Sequence, residues 1–355
     1  MRLDVIGYGG RRAAPRFFVD VAREQALILT PAVGPCRAAA RAARYTRQFD
    51  KNEAEEAMSP KDLLFALVVV LAWGVNFVVI KVGLHGVPPM LLGALRFLLA
   101  AFPAVLFVKR PNLPWKWLFA YGLTISFGQF AFLFSAMYVG MPAGLASVVL
   151  QAQAFFTLGF AAFFLSERFH AQNVIGLLIA AGGLALIGLQ SGAGGGAQAM
   201  TLAGFLLTLC AAVMWALGNI VTKKVGKIDL VGLVVWASLI PPLPFLVLSY
   251  GFEGPQRIVG ALEGIGVSSV LAIVYLSFVA TLLGYSLWSR LLSKYPASQV
   301  APFSLLVPIV GLASASVLLD EHLTVAQIGG AALVMGGLVV NVFGGWVRQR
   351  LATAR

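Results

Sequence analysis

Asn76 and Lys81 interrupt an otherwise apolar stretch, LAWGVNFVVIKVG at 71–83. In a lipid-facing helix neither an amide nor an ammonium gains anything, and such groups at membrane depth mark a polar pathway. Arg96, in GALRFLLAA, poses the same question in the next apolar run, about 9 Å inward from that run's outer end and so toward the outer third of the layer. These residue types suit recognition rather than bond breaking. A guanidinium clamps a carboxylate with two parallel hydrogen bonds, and no acidic residue lies near Arg96 or Lys81 in sequence to neutralise them. An anionic group brought by a substrate would do so. For Lys81 the competing reading is snorkelling to the outer interface, and for Arg96 it is pairing with backbone carbonyls.

Other polar side chains extend this set. Asn219 falls where Asn76 falls in a second, similar half, and Trp215, Asn219 and Lys223 form an i, i+4, i+8 stripe on one helix face. The asparagines either line a cavity or hydrogen-bond neighbouring helices. Gln129 in SFGQF and Gln151 and Gln153 in LQAQAFF put amides into apolar runs. Gln151 and Gln153 point about 200° apart on a helix, so one faces a cavity and the other a helix. The candidate substrate-binding residues are therefore Arg96, Lys81, Asn76, Asn219, Gln129 and Gln151, with Trp73, Trp215 and Tyr285 as aromatic walls. For Tyr285 and Trp288 the belt of aromatics at membrane interfaces favours an anchoring role over a wall. Lys223 and Lys224 end their run on the basic side and read as anchors. Pro302, Pro308 and Pro241 each remove a backbone donor within a run and are candidate kinks or gates.

Catalytic chemistry lacks its parts. There is no HExxH, no GxSxG and no acid pair within an apolar run. His85, His170 and His322 sit in turns, where solvated histidines are expected. Cys36 and Cys210 lie in unlike environments and suggest no disulfide. The expected protein is no enzyme and holds no metal or cofactor. The acids Glu167, Asp320 and Glu321 fall at turns and Asp229, Glu253 and Glu263 in loops, so proton coupling through an intramembrane carboxylate has no candidate and the energy source stays open.

The elements that must position these residues are membrane spans. Of 355 residues 59% are hydrophobic and 11% charged, against roughly 25% charged in a soluble domain. At about 20 apolar residues per crossing, spans are expected near 63–83, 90–108, 117–139, 143–165 and 173–190, then near 201–222, 231–250, 267–288, 297–319 and 325–346. With an even number of spans both termini share a side. If that side is cytoplasmic, inner loops and tail hold twelve Lys and Arg (Lys109, Arg110, Lys116, Arg168, Lys223, Lys224, Lys227, Arg290, Lys294, Arg348, Arg350, Arg355) and outer loops only Arg257. That asymmetry fits the positive-inside rule. It also accounts for the net charge of +12 without nucleic acid, because the basic residues form short clusters between apolar runs.

The halves resemble each other. An offset of 143 carries Asn76, Lys81 and Gly83 onto Asn219, Lys224 and Gly226; an offset of 154 carries Pro142, Ala143, Leu165, Glu167, Gly176 and Gly182–Gly183–Leu184 onto Pro296, Ala297, Leu319, Glu321, Gly330 and Gly336–Gly337–Leu338. The eleven extra residues fit the longer connection around 253–266. Five spans per half turn the second copy upside down, which gives an all-α fold of ten transmembrane helices as two inverted five-helix repeats, with a site expected near the midplane. Gly176 with Ala180, and Ala332 with Gly336, offer flat faces for helix contact.

WGVNFVVIKVG opening the first half and the Pro-Ala start of the fourth and ninth spans resemble EamA-type carriers of the drug/metabolite transporter superfamily, over about 58–347. GLTISFGQFAFLF, GMPAGLASVVLQAQAFFT and LLVPIVGLASA look most like the branch that exports O-acetylserine and cysteine. The resemblance implies alternating-access efflux of small amino-acid metabolites across a bacterial inner membrane. Carriage of another solute, such as other amino acids, a sugar or a nucleotide-sugar, is the alternative. The expected partners are a small-molecule substrate and the lipid bilayer; a homodimer is compatible with the sequence. The organisation is then a first repeat at 58–192, a second at 200–347 and a basic tail at 348–355. Residues 1–57 are Arg- and Ala-rich, carry 10 of the 26 Lys and Arg, and have no counterpart in the resemblance. They are expected to be a disordered tail or to lie upstream of a start at Met58.

Overall fold

The computed structural model describes residues 58–167, 170–191, 200–226 and 228–353, with the backbone alone for 297, 298 and 345–353. The 1–57 segment and the side chains of the basic tail lie outside the described residues. Among them there is no strand, and ten helices are long and apolar enough to cross a membrane. We number these α1 (Pro60–Gly86), α2 (Pro89–Phe107), α3 (Trp115–Tyr138), α4 (Ala143–Leu165), α5 (Ala171–Leu189), α6 (Leu202–Val225), α7 (Leu230–Glu253), α8 (Val267–Lys294), α9 (Ala301–Leu319) and α10 (Val325–Gly344). The stretch expected as a long loop after α7 contains a further short helix, Pro255–Glu263.

Several helices are not uniform. Spans α3 and α8 widen to π-helix over Gly122–Gly128 and Tyr275–Leu283. Span α4 tightens to a 3₁₀ turn at Leu150–Ala152, and α9 is preceded by the turn Ala297–Val300 and begins in 3₁₀ form at Ala301–Leu305, where Pro302 lies. Pro308 sits inside the α-helical Leu306–Leu319, whereas Pro241 marks a break in α7 between Leu230–Ala237 and Pro242–Leu248.

These irregularities recur at the 154-residue offset. Ser166 and Asp320, ending α4 and α9, are the two non-glycine residues with positive φ, at 56° and 55°, among the described residues. The next N–H in each case, Glu167 and Glu321, bonds the carbonyl of Ala161 and Ala315, six residues back, at 3.3 Å, and so helps satisfy the free carbonyls of the helix end. At the start of α5 the His170 N–H donates to Asn173 Oδ1 at 3.0 Å, and at the start of α10 the Thr324 N–H donates to Gln327 Oε1 at 3.0 Å. Both are the returning arm of a capping box, again 154 apart.

Glycines set the approach of α5 and α10, with the expected Gly176 and Ala180 on α5 but not the pair expected on α10. A Cβ on Gly176 would meet Gly337 O at 2.6 Å, and one on Gly183 would meet Gly330 O at 2.5 Å. The offset carries each of these pairs onto the other, so the contact is reciprocal under the repeat. Ala180 is fully buried in it. Ala332 is exposed and Gly336 meets nothing within 4 Å, so the flat face of α10 is built by Gly330 and Gly337 instead. The expectation chose residues by spacing, whereas the helix crossing selects the row one residue round.

The links between helix ends obey alternation. Asp62 at the start of α1 meets Lys294 and the Tyr295 hydroxyl at the end of α8. The Trp236 indole, near the start of α7, donates to Val108 O at the end of α2, 2.9 Å away. Thr201, capping α6, donates to Val139 O at the end of α3 (2.8 Å). Each joins ends that ten alternating crossings put on one face.

Gly183→Ala should therefore cost about 1–3 kcal/mol of stability, because backbone cannot yield to the new methyl. Gly182→Ala, which meets nothing within 4 Å, should be neutral or stabilise by up to about 1 kcal/mol. Thermal unfolding of the purified variants in detergent measures both.

Candidate functional site

Arg96 lies in the first half of α2 and is 3% exposed. The π stretch of α8 holds it at two points. Ser277 Oγ donates between Arg96 O at 2.8 Å and Ile273 O at 2.7 Å. Arg96 Nη2 donates to Thr281 Oγ1 at 3.2 Å, while that hydroxyl's own proton goes to Leu276 O at 2.8 Å. Thr281 thus acts on Arg96 as an acceptor only. A π-helix appears mostly as a short irregularity at functional sites, and here it brings Ser277 and Thr281 onto the side that faces α2.

Around the guanidinium stand aromatic rings. Its carbon is 3.9 Å from the centroid of Phe130, 5.3 Å from Phe97 and 5.9 Å from Phe134. Such contacts contribute about 2 kcal/mol when desolvated, yet they direct no N–H. Arg96 Nε and Nη1 are buried without a hydrogen-bond partner, so three of the roughly five guanidinium N–H groups have no acceptor. Backbone carbonyls, the competing reading for Arg96, do not take them.

On the α1 side of α8, at and just beyond the π stretch, stands an aromatic cluster. The Trp73 indole donates to Ala280 O at 2.9 Å, and its ring lies 5.3 Å from that of Tyr285 and 5.4 Å from that of Trp288. Tyr275 Oη donates to Ala72 O at 3.0 Å. Tyr285 and Trp288 are therefore inward-packed and do not serve as the interface anchors favoured by their position near a span end. Trp73 stands 13 residues from either end of α1, and Thr281 is 14 residues into the 28-residue α8. The cluster thus lies at mid-span, and the Arg96 guanidinium reaches deeper than the outer third expected from its place in α2.

The remaining candidates separate. Lys81 is half-buried and donates to Met137 O at 2.9 Å, about two helical turns along α3 from Phe130. It closes the end of α3 and does not snorkel. Asn76 is buried, and its Oδ1 has no partner. Asn219 donates to Gln153 Oε1 at 2.9 Å and Thr157 Oγ1 at 3.1 Å, and Lys223 pairs with Glu167 at 2.8 Å. The Asn219–Lys223 part of the α6 stripe thus bonds α4, with Trp215 half-buried further along it. Gln153 is the helix-facing amide of its pair. Gln129 is buried directly after the π stretch of α3, and Gln151 is half-buried in the 3₁₀ turn of α4. Among the described residues no hydrogen bond joins either to Arg96.

Sequence reasoning missed Tyr275, Ser277 and Thr281, and the rings Phe97, Phe130 and Phe134. The signal was present in YLSFVATLLGY, where hydroxyls at 275, 277, 281 and 285 interrupt an apolar run. It also placed Asp229 and Glu253 in loops and Glu321 at a turn without reading them as helix caps. Glu253 ends α7 and accepts from Met90 N (2.6 Å) and Leu91 N (3.2 Å) at the start of α2. Glu321 accepts from Ala143 N and Gly144 N at the start of α4. Asp229 caps α7, accepting from Val231 N at 3.1 Å, and Asp62 is buried in the first turn of α1.

Ten helices long and apolar enough to cross a membrane, together with a match to a family of transporters, make this a multi-pass membrane transporter rather than an enzyme. The chain belongs to the EamA-like transporter family, whose model matches residues 61–189 and again 202–343. It is 54% identical over 296 residues to a probable amino-acid metabolite efflux pump of Salmonella typhimurium strain LT2, covering 82% of this chain and 98% of that one. A protein of the same description from Escherichia coli strain K12 is 52% identical over 291 residues, covering 81% and 96%. A probable terminal-alkyne amino-acid exporter of Streptantibioticus cattleyicolor is 27% identical, covering 78% and 93%. A solved crystal structure superposes with a TM-score of 0.57 at 20% identity, over 83% of this chain and 99% of that one, a likeness of fold.

Asn219→Ala should lower stability by about 0.5–1.5 kcal/mol, the range of interhelical hydrogen bonds in membranes, and change apparent substrate affinity less than about twofold. Thermal unfolding and concentration-dependent transport in vesicles measure the two effects separately.

Proposed function

We propose that this protein exports small amino-acid metabolites across a bacterial inner membrane by alternating access between its two repeats, and that O-acetylserine and cysteine are its substrates. The observation that carries the reading is Arg96: a buried guanidinium at mid-span with Nε and Nη1 unpartnered and an aromatic face at 3.9 Å. A carboxylate accepts from two guanidinium N–H groups at once, and no acid of this chain is hydrogen-bonded or ion-paired to Arg96 among the described residues. The substrate's carboxylate supplies the missing acceptors. Trp73 and Tyr285 form a wall beside it, and Asn76, with a buried unpartnered oxygen, is a further candidate contact. Relatives described as probable amino-acid metabolite efflux pumps support the substrate class.

Lys81 has a secondary role in this reading, since Met137 O already engages it. Gln129, Gln151 and Trp215 line the route only insofar as helix movement exposes them. Pro241, Pro302 and Pro308 lie where helices break or tighten and are the points at which such movement is accommodated. Efflux measured in sealed vesicles with labelled O-acetylserine, cysteine, other amino acids and a sugar tests the class. Transport of the sugar in preference to every amino acid would overturn it.

Arg96→Gln should reduce transport of carboxylate-bearing amino acids by about 10- to 100-fold, the scale of a lost charge-assisted hydrogen bond, with expression unchanged. Lys81→Gln should reduce it by less than about threefold, as its ammonium is already satisfied by a carbonyl, and Lys223→Gln should leave substrate affinity unchanged. Normal transport by Arg96→Gln would refute the carboxylate site.

The twelve-to-one loop asymmetry of Lys and Arg places both termini in the cytoplasm in this reading. A topology reporter fused after Arg355 should read cytoplasmic, and a periplasmic reading would invert the carrier.

A further inference from the structure

The turns ending α4 and α9 are copies of one another, yet their glutamates do different things. Glu321 and Glu167 each follow a residue of left-handed backbone and each close the same 3.3 Å turn bond. Glu321 is 8% exposed, and its two carboxylate oxygens accept from Ala143 N at 2.7 Å and Gly144 N at 2.9 Å. These are the free N–H groups at the positive end of α4, where an anion is favoured. By the 154-residue offset the corresponding N–H groups for Glu167 are those of Ala297 and Ser298, where the helical run into α9 starts. Glu167 instead points to Lys223 of α6, 2.8 Å away, with the two side chains 49% and 43% exposed.

The left-handed residue and the glutamate after it recur in both turns, so what differs is the partner that each glutamate finds. Both contacts run between the halves, Glu321 from the second to the first and Glu167 from the first to the second. We propose that Glu321 and Glu167 are positioning residues for the transport cycle, a pair of exchanging latches. In the conformation described, the Glu321 latch is made and the Glu167 latch is released, its charge held by Lys223. In the opposite conformation Glu167 leaves Lys223 for the N–H groups of Ala297 and Ser298, and Glu321 lets go of α4.

The exchange conserves one made latch in either state, so the two conformations stay close in free energy, as a two-state carrier requires. Lys223 prevents an unpaired carboxylate in the released state. The 3₁₀ stretches Leu150–Ala152 and Ala301–Leu305 supply tighter-wound segments in α4 and α9 at which each helix can swing. The exchange depends neither on Arg96 nor on the identity of the substrate.

Two single-cysteine reporters test it, each in a background with Cys36 and Cys210 replaced by Ser. Ser147→Cys lies one turn inside the latched end of α4, where Ser147 is 1% exposed and bonds Gly144 O. Thr157→Cys lies toward the other end. A membrane-impermeant maleimide is applied to one face at a time in right-side-out and inverted vesicles without substrate. Glu321→Gln should raise labelling of the Ser147→Cys reporter about tenfold or more, the scale of a lost charge-assisted bond. It should also lower labelling of the Thr157→Cys reporter from the opposite face severalfold. Glu167→Gln should shift both in the reverse direction. If Glu321→Gln raises labelling of both reporters together, or leaves the Thr157→Cys reporter unchanged, Glu321 is a local helix cap and the exchange is refuted. Because no substrate is present, this result stands apart from that of Arg96→Gln.

Discussion

Inside the hydrocarbon layer no water is available to a polar group, so each must find its partner within the protein. Helices meet that demand along their length and fail it at their ends, where the first N–H groups are left free. This chain supplies carboxylates from elsewhere in the fold. Glu253 at the end of α7 serves the start of α2, and Glu321 after α9 serves the start of α4. Few acids are present, and among the described residues they cap or pair helix ends rather than stand at mid-span. A cap drawn from a distant helix does more than satisfy donors, because it ties the positions of two spans together.

Against that background Arg96 stands out. It is the buried cation at mid-span, and the usual remedies have been applied to it only in part. One N–H reaches Thr281, the rings of Phe97, Phe130 and Phe134 surround its faces, and Nε and Nη1 are left over. The π stretch of α8 is what makes this arrangement possible. Its altered turn presents Ser277 and Thr281 to α2, and the carbonyl of Ala280 to Trp73 on α1. One irregular segment therefore joins the cation and the aromatic wall.

The repeat shapes backbone more strictly than side-chain partnership. Positive φ angles, the turn bonds that follow them, capping boxes, π stretches and the reciprocal glycine contact of α5 and α10 all recur at one offset. Asn76 and Asn219 match in sequence but not in partner, since one is buried with an unpartnered oxygen and the other clamps α4. Glu167 and Glu321 diverge in the same way. Backbone geometry depends on local chain chemistry, which the repeat preserves, whereas a side chain's partner depends on the helix opposite, which differs between the halves.

That distinction also divides what could be read directly from the residues. Ten apolar runs, their boundaries within a few residues, the two similar halves and a cation at Arg96 inside an apolar run followed from hydropathy and charge placement, all local properties. Tertiary structure alone decided that Asn219 and Lys223 serve α4, that Lys81 closes the end of α3, that Tyr285 and Trp288 face Trp73, and that Gly330 and Gly337, not Ala332 and Gly336, meet α5. The π stretch of α8 was equally hidden, because an i→i+5 turn leaves no proline or glycine signature in YLSFVATLL. Periodicity places a side chain on a face of its own helix. Which helix that face meets, at what crossing angle and depth, depends on how all ten pack, and no stretch of the chain carries that information by itself.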